Sequence, residues 1–225
     1  EALGIVTATD PAALALGVGR QAGLGAAGLL VQYATTVAAV IAIATLFIYV
    51  VVALRGRVGV GTFATAVAPV QVVAASTQSS LATLPAMIEC ARERLHVSPR
   101  IASLVLPLAV AVFRYTSPLG NLAVCYFIAA MYGIEPNLLQ MIGSVFVAFA
   151  ISIGSVGLPG QVSFIASVAP ISIAMGVPIE LLGILVGVEA IPDTFRTLGN
   201  VSGDMAATVI ANRGEKPSSE EAMAA

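Results

Sequence analysis

The 225-residue sequence has no tryptophan, one histidine, two cysteines and only 10% charged residues. Soluble domains carry about 25% charged residues, so this chain has too little charge to clothe an ordinary water-facing surface. The single His96 stands in a charged loop and reads as a solvated side chain. It cannot supply a Ser/His/Asp set or a histidine-based metal centre, so no enzyme and no cofactor are expected. Cys90 and Cys125 stand alone, without a CxxC pair or zinc spacing, and read as packing residues. No basic run or basic stripe interleaved with aromatics exists, which excludes nucleic acid as a partner. No signal peptide is visible. The chain opens at Glu1 without Met and reads as part of a longer protein.

What is present is apolar. Hydrophobic residues make up 58% of the chain, and mean hydropathy is +0.98. Five long apolar stretches run over about 24–54, 62–88, 101–133, 138–176 and 179–211. Each meets or exceeds the ~20 residues that a helix needs to cross a bilayer. A single soluble core of this size could not hide five of them. The composition therefore predicts an all-α integral membrane protein with the lipid bilayer as its surroundings.

The net charge of −2 is less informative than where the charges stand. Arg55 and Arg57 follow the first stretch, Arg92, Arg94 and Arg100 follow the second, and Arg213 and Lys216 follow the last. Arg20 precedes the first stretch. The loops around Glu135 and over 176–180 hold no Lys or Arg. The positive-inside rule makes the first three positions cytoplasmic, with the C-terminus, and puts the two uncharged loops outside. Both ends of 61–97 then lie inside and both ends of 135–178 lie outside. Each segment must cross twice or enter and return. Each is also broken near its middle, by Ser76, Thr77, Gln78, Ser79, Ser80 and Pro85 in one and by Gly154, Ser155, Gly157, Pro159 and Gly160 in the other. Non-helical backbone at membrane depth survives only inside protein or along a cavity. Two interrupted segments entering from opposite sides are the pattern of an inverted-repeat transporter.

The last stretch carries Glu189, Asp193, Arg196, Thr197, Asn200 and Asp204. Steps of four, three, four and four line up Glu189, Asp193, Arg196, Asn200 and Asp204 on one helical stripe. Charged side chains at membrane depth cost ~2.5–3.5 kcal/mol each, so they face protein and serve function. A purely structural Asp193–Arg196 pair would explain only two of them. Arg114, beside Thr116, Ser117 and the helix-opening Pro118, needs a carboxylate or several carbonyls as partners. Glu189, Asp193 and Asp204 are the candidates.

At these residues the sequence resembles the dicarboxylate/amino acid:cation symporter family, the glutamate transporter homologues. The resemblance covers about Pro11 to Arg213 and corresponds to roughly the second half of a family member. Three motifs carry it: Gly187-Val-Glu-Ala-Ile-Pro-Asp-Thr-Phe-Arg-Thr-Leu-Gly-Asn-Val-Ser-Gly-Asp204, Ser79-Ser80-Leu-Ala-Thr-Leu-Pro85 and Ser152-Ile-Gly-Ser-Val-Gly-Leu-Pro-Gly160. It implies transmembrane helices plus two re-entrant helical hairpins in a glutamate-transporter-like elevator fold. Scaffold-side transmembrane helices would occupy 1–57 and a transport domain 58–213, followed by a cytoplasmic tail over 214–225. Within that domain stand hairpin 1 (about 61–97), helix 7 (about 98–133), hairpin 2 (about 135–177) and helix 8 (about 179–212). A homotrimer in the inner (plasma) membrane follows from the same likeness.

By this resemblance Asp193 takes a substrate amino group and Arg196 a side-chain carboxylate. Thr197 and Asn200 hold main-chain groups. Ser79, Ser80, Ser117 and the tip residues Gly157, Pro159 and Gly160 complete the site, and Asp204 falls on a sodium-ligand position. Ser152, Ile153 and Ser155 form a candidate weak sodium site. One departure matters. Where the family's helix 7 reads Asn-Met-Asp-Gly-Thr, this chain has Phe113-Arg114-Tyr115-Thr116-Ser117. Two sodium ligands are gone and a guanidinium has arrived, whose own charge repels sodium. The expectation is a symporter or exchanger of acidic amino acids such as aspartate or glutamate that does not use the family's usual sodium sites. Arg114 stands in for a cation near Asp204 or Glu189, and Glu189 is the candidate proton carrier, leaving proton or sodium as the coupling ion. The rivals are a dicarboxylate carrier, a non-transporting membrane sensor and an ion channel.

Overall fold

A computed structural model describes residues 11–56, 58–154 and 161–214, the side chains of 11–26, 161, 162 and 214 excepted. All regular structure among these residues is helical. The order is α1 (Pro11–Arg55), α2 (Val60–Thr77), α3 (Ser80–Glu93), α4 (Pro99–Val112), α5 (Thr116–Tyr132), α6 (Leu138–Gly154), α7 (Gln161–Met175), α8 (Leu182–Leu185) and α9 (Ala190–Ala211). A 3-10 turn over Val186–Val188 joins α8 to α9, and another follows at Asn212–Gly214. Three apolar helical runs, Ala27–Arg55, Val60–Thr77 and Pro99–Tyr132, are long enough to cross a membrane, while α6 is a shorter apolar helix.

Local chemistry sets the helix ends. Ser98 caps α4 by accepting from the Ile101 amide, with Pro99 in the first turn where its missing N–H costs nothing. Asn137 and Gln140 cap each other's amides at the start of α6, a reciprocal box that satisfies two otherwise orphaned donors. Gly133, at φ +64°, ends α5 in the left-handed conformation that glycine adopts without a Cβ penalty. Gln78 adopts φ 48° between α2 and α3, an unusual place for a non-glycine residue. His96 is exposed in the turn after α3.

Contacts at Thr77–Thr83 and Cys90–Ala66 mirror each other about the 78–80 junction, so α2 and α3 run antiparallel. Gly176 packs on the Gln140 side chain, which pairs the far ends of α6 and α7 in the same sense. The tip between α6 and α7 lies outside the described residues, and with it Ser155, Gly157, Pro159 and Gly160.

The last helix is the hub. α1, α2, α3, α4 and α5 all pack on α9. Two apolar cores form around it. One joins Ile48 and Val52 of α1 to α2, α3, α4 and the later turns of α9. The other joins Leu30, Tyr33, Val37 and Ile41 of α1 to α5, α7 and the α8 region. Helices were expected over 1–57 on a scaffold side. The described part of that segment is one helix, packed along α9 and α5. It packs there through a stripe of Tyr33, Val37 and Ile41, repeating every four residues and fully buried. Where α1, α5 and α9 meet, Gly199 leaves room for Thr45 and Thr116.

Candidate functional site

The polar row of α9 faces protein. Glu189, Arg196, Thr197, Asn200 and Asp204 are buried and Asp193 is half-buried. Arg196 lies at the centre of an ion-pair cluster. Its Nη2 donates to Glu189 Oε1 at 2.8 Å and its Nη1 to Asp193 Oδ1 at 3.0 Å. The guanidinium can come close to α5 because residue 120 is glycine. A Cβ there would stand 3.1 Å from Nε and 3.2 Å from Nη2. Glu189 and Asp193 thus share one guanidinium. Buried ion pairs of this kind lose several kcal/mol when one partner is removed, because the survivor stays desolvated.

Helix α5 begins in the interior and is capped from another helix. Asn200 Oδ1 accepts from the Thr116 amide at 3.1 Å and lies 2.7 Å from the Thr116 hydroxyl, while its Nδ2 donates to Ser117 Oγ at 3.1 Å. The opened backbone at 113–115 is thus tied to α9 by side chains, as broken helices in a membrane require. Ser152, at the end of α6, donates to the Arg114 carbonyl at 3.1 Å. Ile153 is exposed.

Gln78 ties the α2–α3 junction to the same place. Its Nε2 donates to the Ala190 carbonyl at 3.0 Å and to Thr194 Oγ1 at 2.8 Å. Ser79 caps α3 through the Ala82 amide, and Ser80 is buried beside it. Ser117 is thus tied to the α9 row and Ser152 to the Arg114 carbonyl, with Arg114 at the break of helices α4 and α5, while Gln78 ties the Ser79–Ser80 junction to the start of α9. Both carboxylate oxygens of Asp204 are buried without a hydrogen-bond partner among the described residues. Arg114 is the charge that acts on Asp204, and Asp193 and Arg196 act on Arg114 as well. Glu189 is engaged elsewhere, by Arg196 and by the hydroxyl of Tyr33.

Tyr33, Thr116 and Gly120 were not read from the sequence as site residues. Tyr33 was the findable one, since a phenol inside a long apolar helix needs a partner for its hydroxyl.

An apolar, all-helical chain with three membrane-length runs and a buried charged row is a multi-pass membrane protein. The sequence profile of the Sodium:dicarboxylate symporter family matches residues 12–214, and the chain belongs to that family. It is 33% identical over 159 residues to excitatory amino acid transporter 3 of Mus musculus, covering 71% of this chain and 30% of that protein. It is 34% identical over 150 residues to the proton/sodium-glutamate symport protein of Geobacillus stearothermophilus, covering 67% of this chain and 35% of that protein. The chain thus spans about a third of the length of these curated relatives.

Proposed function

We propose that the protein carries acidic amino acids, aspartate or glutamate, across the plasma membrane as a symporter or exchanger, with its C-terminus in the cytoplasm. The observation that carries this reading is the Arg196 guanidinium, buried in a membrane protein and held by two carboxylates. Its planar fork suits a ligand carboxylate in two-pronged contact. Asp193, half-buried and bound to one prong, is placed to exchange that contact for a ligand ammonium. Relatives named as glutamate and excitatory amino acid transporters support the same substrate class.

In this proposal α2–α3 and α6–α7 are the two re-entrant hairpins, closing the site from the inner and outer sides. They move with α9 in an elevator step, in a homotrimer. Arg114 takes the place of a bound cation beside Asp204, whose oxygens otherwise lack a partner. A ligand carboxylate arriving on Arg196 would crowd three carboxylates around one guanidinium. A proton on Glu189 relieves that crowding, which makes Glu189 the proton carrier. The Ser152–Ile153–Ser155 sodium site is not part of this cycle.

The test is uptake of labelled L-aspartate and L-glutamate by the full chain in proteoliposomes, in sodium and in choline, with and without a pH gradient. Saturable uptake that persists in choline is expected. Collapse of uptake in choline overturns sodium independence, and absence of saturable uptake overturns the carrier reading.

A further inference from the structure

Glu189 is buried and each of its oxygens has one donor: Arg196 Nη2 on Oε1, and the Tyr33 hydroxyl on Oε2. The two donors differ in what a ligand does to them. Arg196 is the group that a ligand carboxylate would claim. Tyr33 reaches in from α1, is fully buried, and sits edge-on to Phe127 at a centroid distance of 5.3 Å. Its ring is fixed by packing, so its hydroxyl cannot follow the ligand.

We propose that Tyr33 is a positioning residue that keeps Glu189 in place when an acidic ligand takes Arg196 from it. The proposal rests on the substrate reading above. With the ligand absent, Glu189 has both partners. With the ligand on Arg196, the displaced Glu189 side chain depends on Tyr33 alone. A buried carboxyl left with no partner bears its full desolvation cost. Removing the hydroxyl therefore harms the loaded state more than the empty one, and the harm appears as weaker ligand binding. A buried carboxyl, protonated or not, that loses its last partner shifts an equilibrium constant by about fivefold or more.

The test is calorimetric binding of L-aspartate to the purified full chain and to Tyr33→Phe, Glu189→Leu and the double variant, with thermal melting to confirm folding. Tyr33→Phe weakens aspartate binding by about fivefold or more, and the same change costs under about twofold in the Glu189→Leu background, where nothing at 189 can pair with the hydroxyl. If Tyr33→Phe is not recovered folded, Glu189→Asp serves instead, because the shorter side chain cannot span both donors; the same weakening is expected. Tyr33→Phe binding as wild type, or an equal loss in both backgrounds, overturns the role of Tyr33 while leaving the substrate reading intact. Wild type that binds no aspartate, glutamate or dicarboxylate overturns the substrate reading, and the proposal falls with it.

Discussion

Gly199→Ala is a small change at a crowded place. A Cβ at Gly199 would stand 2.5 Å from Thr116 Cγ2 and 2.6 Å from Thr45 Oγ1. Ordinary carbon contacts settle at about 3.5–4.0 Å, so something must move by about an ångström. Neither neighbour is free to do so. The Thr116 hydroxyl lies 2.9 Å from the Arg196 carbonyl and 2.7 Å from Asn200 Oδ1. Thr45 Oγ1 donates to the Ile41 carbonyl at 2.8 Å. Overpacking costs about 1–3 kcal/mol, and this site belongs at the upper end because relief also disturbs the cap of α5. Alanine regains about 1 kcal/mol of helix propensity over glycine. The net loss is about 2 kcal/mol, or a fall in melting temperature of about 4–8 °C for a chain of this size. Gly143→Ala in α6 is the control, since nothing lies within 4 Å of its added carbon. Thr116→Ser in the Gly199→Ala background removes the nearest methyl and should recover at least half of the loss. Gly199→Ala melting level with Gly143→Ala would refute the account of this crossing.

Three further outcomes follow from named contacts. Asn200→Ala strips the Thr116 amide of its acceptor and should cost about 1–3 kcal/mol in thermal melting; a melting curve like wild type would mean that α5 finds another cap. Gln78→Ala cuts the two bonds from the α2–α3 junction to the first turn of α9. Hydrogen–deuterium exchange over residues 78–82 should rise about threefold or more, and unchanged exchange would show that the junction is held by packing alone. Arg196→Lys replaces a fork that spans Glu189 and Asp193 with a compact ammonium. Affinity for acidic ligand should fall about a hundredfold or more in a binding assay, and unchanged affinity would remove Arg196 from the ligand site.

How far the sequence carried these readings depends on how local each cause is. The helix breaks were legible because the polar run Ser76–Ser80 and Pro118 act within a turn or two of themselves. The α9 row was legible because steps of four and three have one meaning on a helix, and its residues are indeed turned toward protein. The partners were not legible. Glu189 meets Tyr33 across 156 residues of chain, and Asn200 caps Thr116 across 84. No spacing rule reaches that far. Gln78 was legible as polar, but its left-handed turn comes from the geometry that sets its amide against Ala190 and Thr194. Which face of α1 packs on α9 was not legible for a related reason. The residues 30–52 that look evenly apolar in sequence divide into a buried stripe and an exposed remainder, with Val31, Ile43, Leu46 and Phe47 on the outside. In a membrane protein both faces of a helix are apolar, so hydropathy cannot say which one is packed. Only a polar group with an unmet need breaks that symmetry. Among the described side chains of α1 one such group is the Tyr33 hydroxyl, which lies on the face that joins α1 to the charged cluster of α9.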